Sequence, residues 1–552
     1  MRSRVPGWCR RAVLGVAFAI GVAFASSSVA AQDAGRVIGR AVEAESSRGL
    51  EGASVTLRGT SWSAVTDASG RFVLPRVPAG EYTAVLEYIG REPQTVDVTV
   101  RQGETSMLEL VAPIAVVGLE GITAVGARAL TQAEALNRQK NAANIVNIVA
   151  SDQIGRFPDA SAPEAVQRLP GVAVARDQGE GRYIQIRGGS PANTQVSFNG
   201  IQVPSPEGDE RQIALDAVPV DVLESIEVAK ATLPNMDADA IGGAVNLVTR
   251  KAPAARMLSL ELAGGYATIR DEPAGSGALT FGDRTSDGLL GFLLSGSYSH
   301  RNFGSDDIEP SYDLGDPGLA DDALEGLEVR HYTLSRGRFG GTATLDYRPN
   351  ENNALVLGAI YSELRDEEQR RIFLHAVEDE ELAFLHKNRR ESLRTYSLAL
   401  TGEHLRPGGA RFDYRLAWTR SLEDTPFDTE IEFVQESVSF SPDLGNGDEI
   451  ETNPQPGAID GSYPFNAIQP ASSDTRDTDL VGSVDLTLPY QAGSAWTGNV
   501  KLGVKLRDKT KLRDITEEEF ELGDGADPIM LGQGVGTSFG GRLSSPASYG
   551  FP

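Results

Sequence analysis

The sequence predicts a mainly β chain in three parts: a small N-terminal β-sandwich, an α+β domain, and a long series of amphipathic antiparallel strands. Three observations predict it. Residues 35–112 hold short β runs at regular spacing with turn chemistry between them. Residues 152–249 hold one well-marked helix among β runs bounded by glycine. Beyond Met257, apolar and polar residues alternate over runs of about ten.

The chain opens on a targeting segment. Arg2, Arg4, Arg10 and Arg11 precede an apolar run over residues 12–25, and Ser28-Val29-Ala30 has the small-x-small form of a cleavage site. Residues 1–31 are therefore expected to be a signal peptide. The run is too short to remain in a bilayer as a helix. Cys9, the only cysteine, precedes it, so the exported chain would carry no thiol for a disulfide, a nucleophile or a Cys-built zinc site. The net charge of −26 becomes about −30 without the four leader arginines, which disfavours nucleic acid as a partner because phosphates require a basic patch.

Within 35–112 the expected strands are the runs beginning at Val37, Ala53, Gly70, Tyr82 and Gln94. Asp67-Ala68-Ser69-Gly70 and Pro78-Ala79-Gly80-Glu81 serve as turns. Such spacing implies a β-sandwich. Residues 116–129, VVGLEGITAVGARA, form an apolar, glycine-rich linker, and the next domain is expected over 130–252. There a helix is announced by Ser161-Ala162-Pro163-Glu164, with a hydroxyl at the cap and Glu three residues on, and is stopped by Pro170-Gly171. Strands follow at 183–187 before Gly188-Gly189, at 196–198 before Asn199-Gly200, and at 244–248 after Gly242-Gly243. Asn199-Gly200 is a hairpin signal, since both positions tolerate positive φ.

After a connector at 251–254 the alternation begins. Leu290, Phe292, Leu294, Gly296 and Tyr298 share one parity against Ser295, Ser297 and Ser299; Phe412, Tyr414, Leu416 and Trp418 oppose Asp413, Arg415 and Thr419. One apolar and one polar parity fit a transmembrane barrel strand, and equally a large soluble sandwich. Tyr266, Tyr298, Tyr347 and Tyr361 are expected near strand ends, as an interfacial aromatic girdle. Residues 349–353 and 406–409 read as tight turns. Residues 305–330, 363–392 and 441–477 read as long polar loops.

The order of pieces across 152–249 resembles the plug domain of TonB-dependent outer-membrane receptors. It is carried by the helix ending Leu169-Pro170-Gly171-Val172, the IQIRGG and NGIQV runs, LESIEV and AIGGAVNL. Likewise GASVTL, TDASGRF and LPRVPAGEYT resemble the carboxypeptidase-regulatory-like module, to which no peptidase activity is assigned. The resemblance implies a mainly β fold with an N-terminal β-sandwich (35–112), an α+β plug domain (130–252) and an incomplete antiparallel transmembrane β-barrel (256–552). About ten candidate strands lie between Met257 and Leu512, whereas plugged transporters close with about 22. The sequence is therefore expected to be a C-terminally truncated receptor.

The resemblance further implies a non-enzymatic importer in the Gram-negative outer membrane, in contact with its lipid. Coupling would run to a TonB–ExbB–ExbD complex through a TonB box. Ile122, Thr123, Ala124, Val125, Gly126 and Ala127 are the candidate box, a segment that pairs by strand addition. Oligosaccharide is the expected ligand and ferric siderophore the alternative, with several similar large receptors taking up oligosaccharides. Arg187 at a strand end, Arg168, Glu224 and Glu227 are expected to form buried pairs that fix the plug and exchange during gating. No cofactor or metal is expected. His300, His331, His375, His386 and His404 lack ligand spacing, and the crowded Asp306, Asp307, Glu309, Asp313 and Asp316 read as a solvated loop rather than a calcium site. Gly536-Thr537-Ser538-Phe539-Gly540 matches a hydrolase elbow, but no histidine follows it. The reading from a different class is a secreted or surface β-sandwich adhesion protein without transport.

Overall fold

The computed structural model describes residues 34–529, apart from 45–47, 68, 115–126, 155–160, 209–210, 269, 313–323, 351, 407–408, 442–451, 453, 455–462, 493–495 and 524–526. The expected signal peptide, the hydrolase-like pentapeptide, Asp313 and Asp316 lie outside the described residues, as does the candidate box except for Ala127.

Seven strands build the N-terminal unit: β1 (Ala34–Glu43), β2 (Ser54–Leu57), β3 (Ser63–Val65), β4 (Arg71–Pro78), β5 (Gly80–Glu87), β6 (Gln94–Val100) and β7 (Thr105–Ala112). They form two sheets, β4-β1-β7 and β3-β2-β5-β6. Val37, Val55, Leu57, Leu74, Leu86, Val100 and Leu110 alternate inward and fill the space between the sheets. The turn before β4 is held by Asp67, whose carboxylate accepts the backbone N–H groups of Ser69 at 2.8 Å and Arg71 at 3.0 Å.

The next unit holds α1 (Ala127–Lys140), β8 (Val146–Ala150), α2 (Ser151–Ile154), α3 (Ala162–Val166), β9 (Val172–Asp177), β10 (Glu180–Ile186), β11 (Thr194–Phe198), β12 (Ile201–Gln202), β13 (Leu223–Ala229) and β14 (Gly243–Thr249). The mixed sheet runs β12-β11-β14-β13-β8, and β9 and β10 form a separate hairpin. Phe198, Leu215, Ile226, Val245 and Leu247 fill its core. Asn199 and Gly200 take φ values of 50° and 76°, the pair of positive angles that the β11–β12 hairpin requires. The capping box expected at α3 does not form. Ser161 makes no side-chain cap bond, and Glu164 instead accepts the Gly181 N–H at 2.9 Å, drawn away by the neighbouring hairpin.

The third unit is one antiparallel sheet. Its main path is β15 (Met257–Ala267), β16 (Glu272–Arg284), β17 (Leu290–Phe303), β19 (Leu324–Asn350), β20 (Asn353–Ala376), β21 (Glu381–Leu405), β22 (Arg411–Gln435), β23 (Phe465–Ala492) and β24 (Trp496–Glu517). β18 (Asp306–Tyr312) pairs with β19, and β25 (Phe520–Glu521) with β23. Among the described residues β15 and β24 do not pair, so the sheet is an incomplete barrel wrapped against the plug.

Side-chain polarity in this wall is inverted relative to a soluble protein. Ser295, Ser297, Arg336, Arg338, Asp346, Asp366, Glu368 and Thr419 are buried on the plug side. Leu294, Tyr298, Leu345, Leu398, Leu416, Leu480 and Leu502 are exposed on the other side. Tyr298 and Phe339 are register partners, and ring contacts continue the row: Phe339–Tyr361 at 5.6 Å, Tyr361–Tyr396 at 5.0 Å and Tyr396–Trp418 at 6.5 Å between centroids. A second row runs through Tyr347 and Tyr490 beside the tight turns. Phe339 and Tyr347 are about 26 Å apart along β19 at ~3.3 Å per residue, or roughly 20 Å once a barrel tilt of about 40° is allowed for. That is close to the apolar band of an outer-membrane barrel, about 25 Å.

Two expectations fail here for one reason. Tyr298 and Tyr361 are not at strand ends, and 363–392 is not a loop. β20 and β21 continue past the aromatic row and join only at 377–380. Beyond the band both faces of a strand meet water or polar lumen, so hydrophobic alternation vanishes while hydrogen bonding continues. Charged cross-strand pairs replace it, among them Glu367–Arg390 at 2.9 Å and Glu368–Arg389 at 2.8 Å. Residues 306–312 and 324–330 of the expected 305–330 loop, and 465–477 of the expected 441–477 loop, are likewise strand; Asp306 is buried against His331, and Glu309, still half-exposed, pairs with Arg330.

Candidate functional site

The plug meets the wall through the tip of the β9–β10 hairpin. Gln178 and Gly179 turn it with φ values of 52° and 82° and bring Glu180 against the inner face of the sheet. Arg336 and Arg338, two residues apart on β19, project to the same side by the strand's period of two. Glu180 accepts from Arg336 Nη1 at 2.7 Å, from Arg301 Nη1 at 2.9 Å, and from Arg338 Nη2. Arg336 is also held by Asp366, its cross-strand neighbour, through Nε at 3.0 Å and Nη2 at 2.8 Å. Arg338, only 1 % exposed, donates from Nε to the Asp216 carbonyl at 2.7 Å.

Burial alone would raise the Glu180 carboxyl. The Arg338 and Arg336 guanidiniums outweigh burial and hold it down at about 2. Asp216 shows the opposite balance: complete burial pushes its carboxyl up despite Arg182, Arg336 and Arg338 nearby. Arg182 extends the network, reaching Asp177 at 2.7 Å, Glu207 at 3.1 Å and the wall residue Glu391 at 3.7 Å. A second anchor joins plug Asp237 to Lys505 at 2.6 Å and Arg507 at 2.5 Å on β24. Burial opposes ionisation of Asp237, but these two cations outweigh it and lower its carboxyl.

A cavity of about 420 Å³ lies between the hairpin turn and the parts of β18–β21 beyond the aromatic row. Arg176, Arg330, Arg370, Lys387 and Arg389 line it together with Asp177, Asp307, Glu309, Glu368 and Tyr332. Each cation already faces a carboxylate: Arg176 with Glu164 at 3.1 Å, Lys387 with Asp428 at 3.1 Å, Arg389 with Glu368 at 2.8 Å, Arg370 with Glu430 at 3.7 Å, and Arg330 with Glu328 at 2.6 Å. The cavity therefore presents closely spaced donors and acceptors with little net field.

The residues singled out from sequence lie elsewhere. Arg187 is exposed at φ 54°, in the left-handed turn with Gly188 that ends β10; the geometry turns it outward, and it makes no ion pair among the described residues. Gly189 completes that turn through its N–H to Ile186. Arg168 is exposed just after α3 and donates to the Ala165 carbonyl at 3.4 Å. Glu227 is paired with Arg138 and accepts from Asn246 at 2.9 Å. Glu224 is the extra residue of a bulge in β13, on the side facing Arg48 and Lys251. Asn199 clasps Thr249, Gly200 offers its carbonyl to Arg415 at 3.0 Å, and Gly242 bonds Asn193. At Gly243, φ 149°, a Cβ would lie 2.6 Å from the Ala229 carbonyl, so close strand packing excludes a side chain. These positions shape the plug. Glu180, Arg336, Arg338, Asp366 and Asp237 hold it, and the available signal for them was Arg336-x-Arg338, two guanidiniums on one face of a strand.

Residues 138–244 match the family described as TonB-dependent Receptor Plug Domain, and residues 36–112 the Carboxypeptidase regulatory-like domain. A probable TonB-dependent siderophore receptor PirA of Acinetobacter baumannii is 24 % identical over 236 residues, 39 % of this chain and 30 % of that protein. Vitamin B12 transporter BtuB of Photobacterium profundum is 28 % identical over 130 residues, 23 % of this chain and 21 % of that protein. Among solved structures, the unliganded ferric citrate transporter FecA aligns over 72 % of this chain and 61 % of its own, with 14 % identity and a TM-score of 0.34. The chain spans 21–30 % of the length of the curated relatives it matches.

Proposed function

We propose that this chain, which carries the plug domain of the TonB-dependent receptors behind a carboxypeptidase regulatory-like domain, belongs to a gated importer of the outer membrane and catalyses no reaction. The carrying observation is the plug clasped inside a wall that is polar within and apolar without: Glu180 held between Arg336 and Arg338 beneath a ligand-sized cavity. A surface adhesin has no use for an exposed apolar band between aromatic rows. In this reading ligand fills the cavity, contacts the hairpin and wall together, and perturbs the ion pairs that join them. Work from a TonB–ExbB–ExbD complex then displaces the plug.

The ligand we favour is an oligosaccharide. A ferric siderophore is the alternative reading, siderophore being the class of cargo named for the PirA relative. The paired charges of the cavity support the first: an anionic chelate gains most from cations without carboxylate partners, whereas hydroxyl groups bond to donor and acceptor alike. A strain lacking the gene is expected to lose growth on one oligosaccharide class as sole carbon source and to grow normally under iron limitation. The reverse pattern overturns the cargo assignment.

Coupling through the linker is tested by proline at Thr123 or Val125, which removes a backbone donor from an added strand. In the full-length protein this substitution is expected to abolish uptake and leave ligand binding at the cell surface intact. Unchanged uptake places the box elsewhere.

A further inference from the structure

The contact between sandwich and plug has no part in the reading so far, and its chemistry is unlike that of either interior. The sandwich core is closed on itself over residues 37–112, and the plug core draws nothing from the sandwich. Between the two lie charges and polar groups. Arg48 of the sandwich bonds Glu134 of α1 at 2.7 Å. Glu51 takes Arg138 of α1 at 3.3 Å and Lys251, in the connector from plug to wall, at 2.9 Å. Asn137 accepts the Ile89 N–H at 3.0 Å, and Asn141 donates to the Gly52 carbonyl at 2.7 Å. The same sandwich also touches the wall beside its tight turns, where Arg348 donates to Ser69 at 3.1 Å and Arg71 faces Glu403 at 3.6 Å. Such an interface can part without opening either core.

Topology gives this interface a mechanical place. The sandwich ends with β7 and Ile114, which bridges to Arg91; α1 begins at Ala127. Both ends of the linker are thus fixed to opposite sides of one ionic contact. A pull on the linker bears on the sandwich through Ile114 and on α1 through Ala127, so the contacts that hold the sandwich to Lys251 and the wall, and α1 to the sandwich, carry load before the plug sheet does. We infer that the sandwich is a latch: its ion pairs to α1 and to Lys251 tie the first helix of the plug to the wall and are the first contacts to break under load. This rests on the reading that the linker is where force enters. Rupture of the ion pairs frees α1, and with it Arg138 and the Glu227 end of the plug sheet, while the Glu180 anchor still holds the hairpin. Release is therefore ordered, underside first.

The test is single-molecule pulling on the full-length protein in detergent, with the wall tethered and Glu120→Cys in the linker as the handle. The expected trace has an early rupture before any plug extraction. Glu51→Ala and Glu134→Ala should each shorten the lifetime of that early contact at fixed force by about two- to fivefold, as loss of a partly exposed ion pair would. Raising the salt should shorten it too. The exchange Arg48→Glu with Glu134→Arg should restore it. Glu134 lies on α1, so its replacement leaves the sandwich's own fold intact, and the later unfolding length of the sandwich serves as the check. An early rupture indifferent to all of these changes, or its absence in the unmodified protein, overturns the latch. Uptake is measured separately: a protein with the early rupture but no uptake refutes the transport reading and leaves the latch standing.

Discussion

Replacing Glu180 by alanine is expected to cost roughly 3–5 kcal/mol of plug stability, because it strands the buried Arg338 guanidinium and takes one of two carboxylates from Arg336. Arg336 retains Asp366, whereas among the described residues Arg338 is left with the Asp216 carbonyl. The acid side of the stability curve gives an independent measure. The Glu180 carboxyl sits at about 2 in the folded protein against 4.5 for an ordinary glutamate. A depressed carboxyl contributes stability above its unfolded value and loses it as pH falls through the folded one. The contribution, about 3 kcal/mol by proton linkage, should be constant from neutrality to about pH 4.5 and vanish between there and pH 2. The measurement is protease accessibility of the β9–β10 hairpin in the detergent-solubilised full-length protein, followed against temperature and pH. Glu180→Gln should open the hairpin at neutral pH and remove that part of the acid-dependent loss. Arg301→Ala, which deletes a partner that is 43 % exposed at its side chain, should change stability by less than about 1 kcal/mol. Equal effects of the Glu180 and Arg301 replacements would falsify the assignment of Glu180 as the anchor.

The division of the chain into sandwich, α+β plug and amphipathic wall was legible because each rests on local periodicity. Turn chemistry such as Asp67–Gly70 and Asn199-Gly200 marks positions where the backbone itself demands particular residues, and both turns form as read. The anchor was not legible for the opposite reason. Glu180 is 156 residues from Arg336 in sequence and becomes its partner only when the hairpin enters the wall. Arg187 and Glu180 bracket the same strand, and nothing local says which charge turns inward; Arg187 turns out because the chain reverses at Gly188. The 363–392 region shows a further limit. Its charges, Glu367, Glu368, Arg389 and Arg390, look like a solvated loop when read one at a time. They become strand residues once cross-strand register pairs them.

The inverted polarity of the wall makes a prediction whose sign separates a membrane protein from a soluble one. Leu294 is 54 % exposed on the outer face of β17, midway between Leu290, the register partner of Tyr347, and Tyr298, the register partner of Phe339. In a water-facing sheet, exposed leucine to arginine changes stability by about 0.5 kcal/mol or less. At the middle of a lipid-facing band the same change costs roughly 2–4 kcal/mol. Leu294→Arg in the full-length protein should therefore lower folding stability in phospholipid vesicles by that amount, as read from urea titration of the heat-modifiable folded band. Glu367→Arg, beyond the aromatic row and 58 % exposed at its side chain, should stay within about 1 kcal/mol, the worth of the surface pair with Arg390 that it breaks. The contrast depends on where each residue stands relative to the aromatic rows, since both are exposed strand positions. A Leu294→Arg protein as stable as the parent in vesicles would remove the outer face of this sheet from the membrane.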